Sequence, residues 1–369
     1  MRYTREDGCL AWLMYGLLRA ETLAALLEEY GAAEVIYDTL LRDGGGFLRK
    51  RHVSEQAVAR LKERAEPGKM HEMMQQMQKL EIGMLSMKDS GYPDALRNIP
   101  DPPPVLMYRG DPDCLLGKCI TVVGSRTASP KGLDVTRSIC RELSSAGVTI
   151  VSGLAMGIDA AAHEGCLEGG SPTAAVLACG MDVDYPLENL ELREQIVRKG
   201  GVLLTELPLG TRSGKYVFRV RNRIMSGLGR AVLMMESRIR SGSMLTVQHA
   251  LDQGKDVYAY PGVPGTEWAE GAHQLLREGA IYFTSAQDVL EDFDWNDAPA
   301  PATMQLKQAL PPMSEEQRKL YTLLSGGEMS FDELAAASGL PVPAISVSLT
   351  MLQMMGLIKA MPGKSYCRA

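Results

Sequence analysis

The sequence predicts an α/β protein: an open, doubly wound, mostly parallel sheet of Rossmann type, with a small helical domain before it and a winged helix after it. Three observations carry this reading. From Cys119 onward, short apolar, β-branched runs (ITVVGS, VTIVSG, TAAVLACG, GVLLTE, AVLMMES, DVYAYPG and IYFT) alternate with helix-length stretches, the mark of βαβ units. Such continuous apolar strands need helices on both faces. Ahead of them, apolar residues recur three and four apart; behind them, a Pro- and Ala-rich stretch isolates a last module with its own pattern. A chain of 369 residues fits two or three domains of about 100 to 200 residues each.

In chain order, residues 1–85 read as helices, with stripes such as Leu10, Leu13, Met14, Leu17 and Leu23, Leu26, Leu27. Six Met between Met70 and Met87 read as core filling at helical spacing. Pro93, Pro100, Pro102, Pro103, Pro104 and Pro112 forbid helix and favour an extended connector, placing a boundary there. The sheet domain is expected over 86–297, with its strand order left open, and a linker over 298–313. In 314–369, helical patterns over Ser314–Leu324, Phe331–Ser338 and Pro343–Met355 precede two short strands in LIKAMPGKSYCR, the plan of a winged helix.

Composition narrows the classes. With 45% hydrophobic and 23% charged residues, the chain is globular rather than disordered. Seven Cys scattered from Cys9 to Cys367, without a C-x-x-C pair, support neither a disulfide framework nor a zinc ribbon and fit a reducing cytoplasm. The apolar run Cys9 to Leu18 is too short to span a bilayer, follows a mixed-charge stretch and lacks a cleavage site. No membrane association is expected.

Ligands of open parallel sheets gather beyond the carboxyl ends of the strands, where helix N-termini present unpaired N–H groups. Gly124-Ser125-Arg126 with Ser129, directly after ITVV, suits a phosphate: glycine permits close approach, hydroxyls donate, and Arg126 can grip an anion bidentately. Ser152 and Gly153 open a second glycine turn beside it. Neither a dinucleotide G-x-G-x-x-G nor a Walker A sequence is present, so no cofactor is expected. Asp159 and His163, four apart, read as a structural hydrogen-bonded pair rather than metal ligands.

The most informative stretch runs from Arg212 to Arg240. Arg212, Lys215, Arg219, Arg221, Arg223, Arg230, Arg238 and Arg240 stand there against Glu236 alone, in a chain whose net charge is −6. A concentrated basic segment in an acidic chain points to a polyanion. Phe218 inside it, with Tyr216 close by, offers a ring for stacking an unpaired base. Ser241-Gly242-Ser243 after AVLMMES forms a further anion-competent turn. The convergence of these turns with a basic, aromatic segment is the argument. The terminal module has balanced charge, and its recognition helix PVPAISVSLTMLQMMGL has no Lys or Arg, which speaks against groove readout.

These residues carry a resemblance. VVGSRTASPKG, VSGLAMGIDAAAHEGCL, VLACGMDVDYP, TELPLG, FRVRNRIMSGLGRAVLMMES, SGSMLTVQHAL and VYAYPG fall in the order of the DNA-processing protein A family, also called DprA or Smf, across about residues 92–285. The resemblance implies an extended Rossmann domain binding single-stranded DNA, a cytoplasmic homodimer without enzymatic activity, and delivery of the RecA recombinase onto incoming DNA in natural transformation and homologous recombination. It also implies a sterile-alpha-motif-like N-terminal domain and a C-terminal winged helix. By its pattern, Gly124, Ser125 and Arg126 hold phosphate, Lys215 neutralises backbone, Phe218 stacks, and Arg221, Asn222 and Arg223 surround them. Arg219 and Lys131 replace the family's usual Pro and aromatic, both adding positive charge; His273 and Val247 replace Asn and Ala.

Two rival readings come from other classes. Phosphoribohydrolase-like Rossmann enzymes use a P-G-G-x-G-T-x-x-E loop, but here SGSMLTVQHA puts His249 where the loop approaches its glutamate, leaving Glu206 and Glu236 as unplaced carboxylates. A winged-helix transcriptional regulator is the other, opposed by the uncharged recognition helix.

Overall fold

The computed structural model describes residues 3–295, 314–324, 329–354, 358–361 and 365–368. The chain divides into two compact units, residues 1–301 and 302–369.

The first unit opens with six helices: α1 (Arg5–Met14), α2 (Ala20–Tyr30), α3 (Ala33–Asp43), α4 (Gly46–Arg49), α5 (Glu55–Arg64) and α6 (Pro67–Lys79). Thr4 starts α1 with a capping box to Asp7, and Pro67 sits in the first turn of α6, where its missing N–H costs nothing. Trp12 is fully buried at the centre and donates its Nε1–H to the Leu61 carbonyl at 2.9 Å. Met73 and Met77 are core residues, while Met70, Met74 and Met84 pack partly buried against the same cluster.

The proline segment departs from the connector expected there. Pro93 occupies the N-cap of a one-turn helix, α7 (Asp94–Arg97), a position where proline is tolerated. Beyond Pro100, Pro102, Pro103 and Pro104 runs β2 (Val105–Gly110), antiparallel to β1 (Gly83–Ser86), and Pro112 opens a 3-10 turn after it. The expected boundary at 85/86 therefore falls inside β1, and the segment is woven into the sheet rather than spanning a gap.

Each of the seven apolar runs is one strand: β3 (Cys119–Val123), β4 (Thr149–Ser152), β5 (Thr173–Val176), β6 (Val202–Thr205), β7 (Ala231–Met234), β8 (Asp256–Ala259) and β9 (Ile281–Tyr282). The sheet order is β1-β2-β6-β5-β4-β3-β7-β8-β9, with β3 to β9 parallel to their neighbours and β2 antiparallel to β6. Between the strands lie α8 (Pro130–Ser145), α9 (Ile158–Gly169), α10 (Leu190–Arg198), α11 (Lys215–Leu228), α12 (Gly242–Asp252) and α13 (Glu270–Arg277), and α14 (Ala286–Asp292) follows β9.

Strand alternation sorts side chains onto two faces. Ile120 and Val122 of β3, with Ala231 and Leu233 of β7, pack against α8, α9 and α14; Cys119 and Val123, with Val232 and Met234, pack against α11, α12 and α13. A third apolar cluster joins α1 to α6 with Val105, Met107, Ala175, Leu203 and Ile196. The helical segment thus shares a core with one end of the sheet.

The second unit contains α15 (Glu315–Leu323), β10 (Met329–Ser330), α16 (Phe331–Ser338), α17 (Val342–Met354), β11 (Ile358–Met361) and β12 (Ser365–Arg368), with sheet order β10-β12-β11. Leu320, Leu324, Leu334, Ile345, Leu349, Leu352 and Ile358 form its core. Three helices and a small antiparallel sheet make a winged helix. The expected linker, 298–313, lies outside the described residues.

Candidate nucleic-acid interface

The strand order contains one reversal. From β3 the chain winds outward through β4, β5 and β6, then returns along α11 to β7 on the other side of β3. Loops leaving β3 and β7 diverge there, and a crevice opens beyond their carboxyl ends. It has a volume of about 920 Å³ and is lined by Gly124, Ser125 and Arg126 after β3, Asp159 at the start of α9, Lys215, Phe218, Arg219, Arg221 and Asn222 on α11, and Ser241, Gly242, Ser243 and Thr246 at the start of α12.

The loop after β3 is fixed from two sides. Ser125 N donates to the Glu236 carbonyl after β7, and Ile158 N of α9 donates to the Ser125 carbonyl at 3.1 Å. Gly157 allows this: its φ is +79°, and a Cβ there would stand 2.3 Å from the Ser125 carbonyl oxygen. The Glu236 carboxylate reaches the N-terminus of α8, accepting from Ser129 N at 2.7 Å and Ser129 Oγ at 2.6 Å. Ser129 Oγ also accepts from Gly132 N as the helix cap. A carboxylate at a helix N-terminus is electrostatically favourable, and it leaves Ser129 no free donor for a ligand.

Helical geometry splits the basic segment. Lys215 and Arg219 are exposed on the crevice side of α11, and Arg126 is exposed across from them. Arg221 is buried: Nη1 donates to the Gly153 carbonyl at 2.9 Å and also to that of Val176. Burial lowers its pKa to about 10, opposed by the Asp159 charge. It therefore ties the ends of β4 and β5 together and cannot grip a strand through those donors. Gly153 is glycine because a Cβ would lie 2.2 Å from this guanidinium.

Arg223, also expected at the site, faces elsewhere. It pairs with Glu206 at 2.5 Å and Asp101 at 3.0 Å and borders a separate cleft of about 330 Å³ beside the α1–α2 turn. The reason is angular: five helical residues rotate a side chain by about 140° from Phe218. Burial pushes the Glu206 carboxyl up, with Arg223 opposing. Arg238 is paired with Glu267 at 2.6 Å, and Arg230 lies over the Phe293 ring at 5.5 Å. Ser152 Oγ donates to the Val122 carbonyl at 2.7 Å and is fully buried.

Phe218, on the first turn of α11, is half-buried with three neighbours: Arg126 Cζ 4.5 Å from its ring centroid, Arg221 Cζ at 6.0 Å, and the Tyr185 ring at 5.9 Å and 61°. Tyr216 is 78% exposed at the crevice rim. Asn222 Nδ2 donates to the Gly242 carbonyl, and the hydroxyls of Ser237, Ser241 and Ser243 lie within 3.1 Å of one another at the start of α12. The turns after β3 and β7 line one crevice, with exposed cations around one aromatic face, while the turn after β4 reaches it through Ala155 rather than through the expected Ser152 and Gly153.

Asp159 and His163 are not bonded to each other. Asp159 accepts from Gly153 N at 3.2 Å and Ala155 N at 3.4 Å, and burial pushes its carboxyl up. His163 Nδ1 lies 2.7 Å from Thr173 Oγ1, whose own proton goes to the Ile150 carbonyl at 2.6 Å. The imidazole is therefore the Nδ1–H tautomer, and complete burial lowers its pKa to about 3. Among the described residues no cluster of His, Cys, Asp and Glu suits a metal ion. Sequence reasoning passed over Tyr185 and the cap made by Glu236. The first was flagged by the strand-end motif VLACGMDVDYP; the second pairing, 107 residues apart, had no local signal.

The family model described as DNA recombination-mediator protein A matches residues 83–294, from β1 to the end of the sheet unit, and the DprA winged helix domain matches residues 300–364. Protein Smf of Escherichia coli is 36% identical over 275 residues, 74% of each chain. The chain belongs to the DNA-processing protein A family. Among solved relatives, DNA processing protein A (DprA) of Streptococcus pneumoniae aligns with TM-score 0.58 and 37% identity, covering 64% of this chain and 82% of that one. The Helicobacter pylori protein, whose structure concerns its single-stranded DNA binding mode, aligns with TM-score 0.53 and 27% identity over 58% and 95%. A DNA-processing, recombination-mediator role follows for this family member. Among the described residues no single helix is long and apolar enough to cross a membrane.

Proposed function

We propose that the chain is a non-enzymatic, cytoplasmic mediator that holds single-stranded DNA in the β3–β7 crevice, protects it, and passes it to the RecA recombinase, acting as a homodimer. The observation that carries this reading is the grouping of exposed Arg126, Lys215 and Arg219 around the half-buried Phe218 ring. Phosphates need the cations; only an unpaired base needs the ring. Strand protection and RecA delivery rest on the family resemblance.

The non-enzymatic reading is supported by how the carboxylates are engaged. Glu236 caps α8 through Ser129, Asp159 accepts backbone N–H groups, and Glu206 pairs with Arg223 away from the crevice. General acid–base chemistry requires a carboxyl within reach of substrate, and these three have structural partners instead. We also read α1 to α6 as the sterile-alpha-motif-like module expected at the N-terminus.

Fluorescence anisotropy with labelled oligo-dT and a duplex of equal length, across a salt series, tests the reading. Preference for the single strand with a steep salt slope is expected; equal or stronger duplex binding refutes it. RecA delivery is tested by filament formation on the bound strand, and the homodimer by light scattering.

A further inference from the structure

The loop after β5 reaches Phe218 of the crevice, yet the function described so far does not use it. It runs from Gly180 to Pro186 and presents Tyr185 edge-on to Phe218, with ring centroids 5.9 Å apart at 61°. The Tyr185 ring is half-buried, backs onto the apolar cluster of Met181 and Leu192, and its hydroxyl makes no hydrogen bond within the described residues. The contact is therefore made by the ring, not the polar tip.

The loop is held at several points. Arg193 of α10, buried, donates to the Val183 carbonyl at 2.8 Å and to that of Met181. Gly180 N donates to the Thr211 carbonyl at 2.8 Å. Asp182 Oδ1 accepts from Gly210 N at 2.7 Å, and its Oδ2 accepts from Gln76 of α6 at 3.0 Å. Further along, Asn189 Nδ2 donates to the Leu154 carbonyl at 2.9 Å. A tyrosine carried on so constrained a loop can fix the ring it touches.

Phe218 needs such fixing. It sits in the first turn of α11, whose N-cap Gly214 makes no side-chain cap, and one ring contact is with the exposed Arg126. A stacking ring is effective only when its plane is fixed before the base arrives, since ordering it on binding would cost affinity. An edge-to-face pair sets that plane. We propose that Tyr185 is a positioning residue for base stacking: it holds the Phe218 ring for an unpaired base, and Arg193 holds Tyr185. This rests on the single-strand reading above and adds a residue on a different loop to that site.

The test compares full-length parent, Tyr185→Ala, Tyr185→Phe, Phe218→Ala and the Tyr185→Ala/Phe218→Ala double variant. Each is titrated by anisotropy against oligo-dT and against an abasic oligonucleotide of equal length. Tyr185→Ala should weaken oligo-dT binding about two- to tenfold, the range of an aromatic pair. Tyr185→Phe, which keeps the ring, should restore it. The loss should vanish on the abasic strand and in the Phe218→Ala background. An equal loss on the abasic strand, an additive loss in the double variant, or failure of Tyr185→Phe to rescue overturns the proposal. If Tyr185→Ala does not fold, Tyr185→Leu takes its place in the same cycle. A parent protein that does not prefer single strands refutes the earlier reading instead, which keeps the two failures distinct.

Discussion

Consider the salt dependence of single-strand binding when the crevice cations are removed one at a time. Arg126, Lys215 and Arg219 are exposed at the crevice, whereas Arg221 and Arg223 are buried and engaged. Counting only the exposed three, each neutralising one phosphate, log K should fall with log salt at a slope of about −2 for a single strand. Between about 50 and 200 mM salt this is roughly a twentyfold loss of affinity. Removing one cation should flatten the slope by about 0.7, so Arg126→Ala or Lys215→Ala should lose only about sevenfold over the same range. The two variants should differ at low salt. Arg126 rests on the Phe218 ring at 4.5 Å, a contact worth about 0.5–1 kcal/mol at an exposed site, which it gives up to reach a phosphate. Lys215 has no ion pair among the described residues. Lys215→Ala should therefore weaken low-salt binding about two- to fivefold more than Arg126→Ala. Anisotropy with oligo-dT at five salt concentrations measures both quantities. A double variant with the parent's slope refutes the assignment of these cations, and a flatter slope in a folded Arg223→Gln variant refutes the exclusion of Arg223.

The buried polar groups give three further expectations. Arg221→Met should destabilise the fold by about 3–5 kcal/mol, because it strips two carbonyls of a charged donor and leaves Asp159 without its nearby cation; a change below about 1 kcal/mol in urea unfolding would argue that Arg221 is not the tie described. Ser129→Ala and Ser152→Ala should each cost about 1 kcal/mol of stability while leaving oligo-dT affinity within about twofold, since both hydroxyls serve the fold; a larger affinity loss without destabilisation would return them to the binding site. His163, with a folded pKa of about 3, binds a proton more readily when unfolded, so its contribution is complete above about pH 6.5 and is lost as pH falls toward 3. Between pH 7 and 5 the parent should lose about 2 kcal/mol more than His163→Gln does, read from urea unfolding at the two pH values; equal losses would mean the imidazole is not buried neutral.

The strands were legible because burial on both faces requires uninterrupted apolar runs, and no other element in the chain has that pattern at that spacing. The crevice was legible for a related reason: glycine and hydroxyl residues directly after a strand are the local signature of a backbone anion site, and Gly124, Ser125 and Ser241 to Ser243 do line it. The proline segment was harder. Its prolines exclude a long helix, yet they permit a single turn begun by Pro93 and a strand between Pro104 and Pro112, and nothing local shows that β2 pairs with β1 and β6.

By itself, the sequence determined the class of fold, the placement of the phosphate-competent turns and the concentration of basic charge on α11, because each depends on residues adjacent or one helical turn apart. Tertiary structure decided which of those charges meet solvent. A helix places successive side chains about 100° apart, so Lys215, Phe218 and Arg219 share the crevice side while Arg221 enters the sheet ends and Arg223 meets Glu206 and Asp101. Only the packing of α11 onto the sheet, between α7 and α12, fixes that rotation. The same holds for Glu236 at Ser129 and Tyr185 at Phe218: pairs 107 and 33 residues apart meet because the strand order brings loops of one sheet edge together, and strand order is set by long-range burial rather than by any short stretch of the chain.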